Sequence, residues 1–129
     1  MKRSAVVTAK APGAIGPYSQ GVAAGDLVFV SGQTPLRPDG TLCSGTMAEQ
    51  AEQCLANVRE ILAAAGLGLG DVVKTTVFMT DLGKFAEMNE VYARHFKAPY
   101  PARATVQVSA LPKGASVEIE AVAVRPAGA

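Results

Sequence analysis

The chain has no tryptophan, three tyrosines, four phenylalanines, two cysteines and one histidine. With so few aromatics, much of the apolar content is Ala and Val, which suits thin elements that approach one another closely. Cys43 and Cys54 have neither metal-ligand spacing nor a second pair to complete a site. Both read as reduced thiols of an intracellular protein, and no metal centre is expected. His95 has no identifiable serine or cysteine partner, gives no support to a catalytic triad, and reads as helix surface. An excess of one charge is also missing. Twelve Lys and Arg against 11 Asp and Glu leave no net field to draw the chain to nucleic acid or an anionic membrane. No apolar run approaches the roughly 20 residues that span a bilayer. The N-terminal apolar run is too short for a signal-peptide core. These absences predict a soluble, cytoplasmic protein with no nucleic-acid or membrane partner.

At 129 residues the chain has the length of one domain, taken here as 1–129. Residues 11–17, with Pro12, Gly13, Gly16 and Pro17, form a loop. Gly21–Ala24 and Leu27–Gln33 flank Gly25-Asp26 and read as a β-hairpin, followed by a loop over Pro35–Gly45. Thr46 and Glu49 have capping-box spacing. The helix they begin carries Ala51, Cys54, Leu55, Val58, Ile61, Leu62 and Ala65 on one stripe and stops at Gly66. Because that helix ends before Gly66, Gly68 and Gly70, these glycines do not form a phosphate-binding loop. Val72–Met79, rich in β-branched residues, predicts a strand buried on both faces.

A second helix is predicted over about Lys84–Phe96, with Phe85, Met88, Tyr92 and Phe96 inward, Met79 and Met88 filling the core, and Pro99-Tyr100-Pro101 as its stop. In the next strand Ala104, Val106 and Val108 alternate with Thr105, Gln107 and Ser109, leaving one wet face. Val117, Ile119, Ala121 and Ala123 alternate with Glu118, Glu120, Val122 and Val124, so the carboxylates stand at the border of an apolar patch, where a cleft would form. The order of elements predicts an α+β fold with helices packed on one face of a mixed sheet.

Arg103, stiffened by Pro101-Ala102 and facing the same way as Thr105, can take a carboxylate with two parallel hydrogen bonds. For a lone arginine a surface ion pair is the plainer alternative. Glu118 and Glu120 share a strand face and could both meet Arg103 if the last two strands adjoin. An apolar border would raise a glutamate pKa and suit it to proton transfer, and solvated surface carboxylates are the plainer alternative. Asn89, on the inner stripe of the second helix, either caps a backbone group or lines a pocket. Tyr18 is either a pocket phenol or a loop ring packed on the sheet.

Several segments together resemble the RidA/YjgF family of reactive-intermediate deaminases: Ile15-Gly16-Pro17-Tyr18-Ser19-Gln20, Val30-Ser31-Gly32-Gln33, and Gly70-Asp71-Val72-Val73-Lys74-Thr75-Thr76-Val77-Phe78. The match continues through Phe85, Asn89 and Tyr92, then Tyr100-Pro101-Ala102-Arg103, then Leu111-Pro112-Lys113 leading to Glu118-Ile119-Glu120-Ala121. These span nearly the whole chain in the family's order. The resemblance implies a chorismate-mutase-like subunit, a homotrimer with clefts between subunits, and no cofactor. It implies a hydrolase that converts 2-aminoacrylate-type acids (2-iminopropanoate, 2-iminobutanoate) to 2-keto acids and ammonia.

It also implies roles: Arg103 grips the substrate carboxylate and Glu118 activates water, while Tyr18, Ser31, Gly32 and Asn89 line the pocket, supplied from two chains. Thr105 stands where many members carry cysteine, and there the backbone carbonyl is expected to matter more than the side chain. Three rivals accompany this reading. They are a non-catalytic small-acid-binding or chaperone-like trimer, a pathway-specific deaminase of a larger enamine, and a ribonuclease, which the balanced charge disfavours.

Overall fold

The computed structural model describes residues 2–127. Its elements are β1 (Arg3–Val6), β2 (Gly21–Ala24), β3 (Leu27–Gln33), α1 (Met47–Ala64), β4 (Val72–Met79), α2 (Phe85–His95), β5 (Ala102–Gln107) and β6 (Val117–Val124). The strands form one six-stranded sheet in the order β1-β2-β3-β6-β4-β5. Every neighbouring pair is antiparallel except β4 and β5, which run parallel and are connected through α2. The sheet is therefore mixed, and the α+β expectation holds. Strand β1 was not foreseen; it extends the β2–β3 hairpin at the sheet edge.

Helix α1 begins where the capping residues require. Thr46 Oγ1 accepts from the Glu49 amide at 3.2 Å, and the Thr46 amide donates back to Glu49 Oε1 at 3.1 Å. Beyond its end, Gly66 has φ +79°, a left-handed conformation open to glycine at no steric cost. Ala51, Cys54, Leu55, Val58, Ile61 and Leu62 are buried against the sheet, and Ala65 caps the helix half-buried. Each fully buried aliphatic side chain contributes about 1.5–3 kcal/mol, so this stripe anchors the helix.

From α2 the buried residues are Met88, Val91 and Tyr92, with Phe96 just beyond the end. Phe85, expected inside, is 37% exposed, because its ring faces the Arg103 guanidinium rather than the core. His95 is more than helix surface: its Nε2 lies 2.7 Å from Glu52 Oε2 and ties α2 to α1. Both cysteines are free and buried.

Two strand expectations are corrected. β4 is buried on one face only: Val72, Thr75, Val77 and Met79 are buried, while Val73, 46% exposed beside a bulge, and Lys74 face outward. The helices cover a single side of the sheet, so alternate residues remain open. In β5 the phase is the reverse of that read from hydrophobicity. Arg103 and Thr105 turn toward the helix side, and Ala104 and Val106 lie on the open side. That open side also carries Leu27 and Phe29, exposed large apolar residues of β3. Among the described residues no helix is long and apolar enough to cross a membrane.

Candidate active site

Strand β3 carries a bulge where it meets β6. Val30 pairs with Ala121 and Gln33 with Ile119, leaving one extra residue on the β3 side. Ser31 and Gly32 occupy this stretch. Ser31 Oγ donates to Ser19 O at 2.6 Å and its amide to Gln20 O at 3.0 Å, which fixes the Tyr18 loop to the strand. The buried Gln20 holds that loop from beneath: its side-chain nitrogen donates to Pro12 O at 2.8 Å and Thr8 O at 3.0 Å, and its oxygen accepts from the Thr8 amide at 2.8 Å. At Gly32 a side chain would overlap the Glu118 carboxylate, so the carboxylate lies directly against bare backbone.

Around this point opens a cavity of about 630 Å³ lined by Tyr18, Ser31, Gly32, Glu118 and Glu120. Ile15, Thr34, Leu36, Pro112 and Lys113 complete it. Burial, and then the like charge of Glu120, push the Glu118 carboxyl above the ordinary glutamate range. Lys113 has φ 57°, the one non-glycine among the described residues with a left-handed backbone, a conformation that concentrates at functional sites. Four of the residues named by resemblance, Tyr18, Ser31, Gly32 and Glu118, thus meet in one cavity.

Arg103 and Asn89 meet elsewhere. A second cavity of about 440 Å³ is lined by Asn89, Tyr92, Ala93, Tyr100, Pro101 and Arg103. Arg103 Nη1 donates to Asn89 Oδ1 at 2.7 Å, and the guanidinium carbon lies 4.6 Å from the Tyr92 ring centroid and 5.5 Å from that of Phe85. Asn89 therefore both lines a pocket and orients the arginine. Among the described residues no carboxylate pairs with Arg103. Its neutral partners leave its charge available to an anion. Thr105 lines neither cavity, and its Oγ1 is enclosed without a hydrogen-bond partner among the described residues.

Within one chain Arg103 and Glu118 do not meet. Strand β4 separates β5 from β6, and Phe78 pairs with both Val106 and Glu118. Glu118 is thus level with Val106, three positions along from Arg103 and on the opposite sheet face. The condition under which the two glutamates could reach Arg103, adjoining last strands, is not met within one chain, because the parallel crossover puts β5 outside β4. Sequence reading also gave no role to Ile15, Leu36 or Lys113 at the first cavity, nor to Phe85 and Tyr92 at the arginine. The spacing of Phe85, Asn89 and Tyr92 on one helix face was the available signal for the latter pair.

Residues 8–125 match a family model described as Endoribonuclease L-PSP. The human 2-iminobutanoate/2-iminopropanoate deaminase is 52% identical over 124 residues, 95% of this chain and 90% of the human one. Escherichia coli TdcF, solved with bound serine, superposes with a TM-score of 0.90 at 50% identity and covers 95% of this chain and 99% of its own. RidA from an Antarctic Psychrobacter gives a TM-score of 0.90 at 48% identity over 94% of this chain and 98% of its own. With a family model spanning nearly its full length and relatives at about half identity, the chain belongs to the RidA/YjgF family.

Proposed function

We propose that this chain is a cytoplasmic imine/enamine deaminase that hydrolyses 2-iminopropanoate- and 2-iminobutanoate-type acids to 2-keto acids and ammonia, at sites completed between subunits of a chorismate-mutase-like homotrimer. The observation that carries the reading is the split of the site. One cavity has a guanidinium with no carboxylate beside it; the other has two carboxylates and no arginine. Leu27, Phe29 and Val106, exposed on the open sheet face, supply an apolar surface that a second copy would cover.

In the joined site Arg103 of one chain would hold the substrate carboxylate and Glu118 of the next would face its C2 carbon. Glu118 accepts a proton from water as the oxygen bonds to C2 and the imine nitrogen takes up a proton. The carbinolamine then collapses: protonated Glu118 returns its proton to the amine nitrogen, the C–N bond breaks, ammonia departs, and the hydroxyl proton is released to solvent, replacing the one the imine nitrogen took up, as the keto group forms. Ser31 and the Gly32 backbone border the reacting group, the carbonyl of Thr105 adds an acceptor, and Asn89 keeps the arginine in place. Orientation plus one proton transfer, the latter contributing on the order of 10²- to 10⁴-fold, suffices for a reaction that already proceeds in water. A phosphodiester, by contrast, would meet the carboxylates of Glu118 and Glu120 in the larger cavity, which disfavours ribonuclease chemistry.

The test generates the imine in situ with an amino-acid oxidase and traps what survives with semicarbazide. Arg103→Ala and Glu118→Gln should each fail to remove it. Unfolded together and refolded as mixed trimers, the two inactive variants should regain activity, with about one interface in four carrying both intact halves. Activity of Arg103→Ala equal to wild type would refute the assignment, and no recovery on mixing would refute the shared site.

A further inference from the structure

The arginine belongs to a larger arrangement. Thr75 and Arg103 are paired residues on the adjacent strands β4 and β5, both facing α2. From α2 the Tyr92 ring reaches both: its hydroxyl lies 2.7 Å from Thr75 Oγ1, and its face lies 4.6 Å from the guanidinium carbon. Thr75 is 1% exposed and Tyr92 5% exposed, and the Tyr92 ring also packs on Phe96 with centroids 4.5 Å apart. A triangle closes in this way, with strand pairing on one side, a hydroxyl–hydroxyl bond on the second and a cation–π contact on the third.

We propose that Thr75 and Tyr92 are positioning residues that set the aim of the Arg103 guanidinium, and that their buried hydroxyl pair tunes affinity for the substrate carboxylate without touching substrate. This inference rests on the proposed imine hydrolysis. An aromatic ring held only by apolar contacts can tilt. Pinned at its hydroxyl end, it keeps its face toward the cation, where the ring quadrupole attracts positive charge. Asn89 fixes the guanidinium at one nitrogen, and the ring fixes its plane. The remaining N–H groups are left for a planar carboxylate. A carboxylate in place of these neutral groups would hold the arginine equally firmly and cancel the charge the ligand needs.

A stabilising core pair and an aiming device give different kinetics. Thr75→Val, which keeps the shape of the side chain, and Tyr92→Phe should each raise KM for the in situ imine roughly 3- to 10-fold with kcat nearly unchanged, because binding geometry alone is loosened. The inhibition constant of 2-oxobutanoate, a stable acid of the same shape, should rise in parallel. Thr75→Ser should restore both, and Tyr92→Leu should lose more than Tyr92→Phe. Variants that melt earlier but keep wild-type KM and inhibition constants would overturn the proposal, as would a fall in kcat alone. Arg103→Ala, run alongside, separates the two levels. An inactive wild type refutes the hydrolysis reading itself and wild-type activity in Arg103→Ala refutes the arginine's role, whereas an inactive Arg103→Ala beside unaltered Thr75→Val and Tyr92→Phe refutes only the positioning role.

Discussion

The two cavities hold opposite charges by opposite means. Arg103 is set by regular structure, a strand position facing a helix, and touches an amide and two aromatic rings. Glu118 is set by irregular structure, a bulge with a glycine against its carboxylate and a loop pinned by Gln20. Neutral neighbours leave the cation's charge available to an anion. Partial burial beside a like charge makes the carboxylate hold its proton more tightly. The first arrangement suits binding and the second suits proton transfer, so changes in the second should cost more activity.

Glu118→Gln should have the largest effect, a loss in kcat on the order of 10²- to 10⁴-fold, and it should also stabilise the fold. The folded chain raises this carboxyl above the ordinary glutamate range, so it binds the proton more tightly than the unfolded chain does. The favourable contribution is complete below the unfolded value and disappears as pH rises through the folded one. The variant should therefore melt above wild type at pH 8 and close to it at pH 4, as thermal scans at the two pH values would show. An equal melting temperature at pH 8 would mean that the carboxylate is not under strain.

Gly32→Ala should follow. The added methyl would overlap the carboxylate, and displacement of a reacting group by about 1 Å can cost around 100-fold. A matching loss of kcat with an unchanged circular dichroism spectrum would tie the loss to the position of Glu118 rather than to unfolding.

Local chemistry made part of this legible from residues alone. The start of α1 was readable because Thr46 and Glu49 satisfy one another's backbone within a single turn, and its buried stripe because one helix packs on one surface. The phase of β5 was not. Its apolar residues, Ala104 and Val106, lie opposite the helices, so hydrophobicity there does not mark the helix side. The separation of Arg103 from Glu118 depends on β4 running between their strands, a pairing for which neither strand carries a local signal. Segment resemblance supplied the candidate residues without their grouping into two cavities.

Glu120→Gln probes the charge contrast more gently. Glu120 shares the cavity with Glu118, as do Lys113 from the Pro112–Gly114 turn and Tyr18 from the loop, and beneath them burial, and then the Glu118 charge, raise the Cys54 thiol. Removing the like charge should lower the proton affinity of Glu118 and move the acidic limb of the kcat/KM profile to lower pH, leaving the plateau in place. Activity would then rise a few-fold on the acid side. An unmoved limb would assign the raised carboxyl to burial alone.

Thr105→Val should change least. The enclosed Oγ1 has no partner, and valine keeps the branched shape a strand favours while removing a hydroxyl whose unpaired burial costs about 1 kcal/mol or more. If only the backbone carbonyl serves the substrate, the variant should melt slightly higher with KM and kcat intact. A rise in KM would instead mean that the hydroxyl acquires a partner when two chains meet, because none of the described residues of its own chain supplies one. The same substitution would then link the arginine's strand directly to its neighbour's cavity.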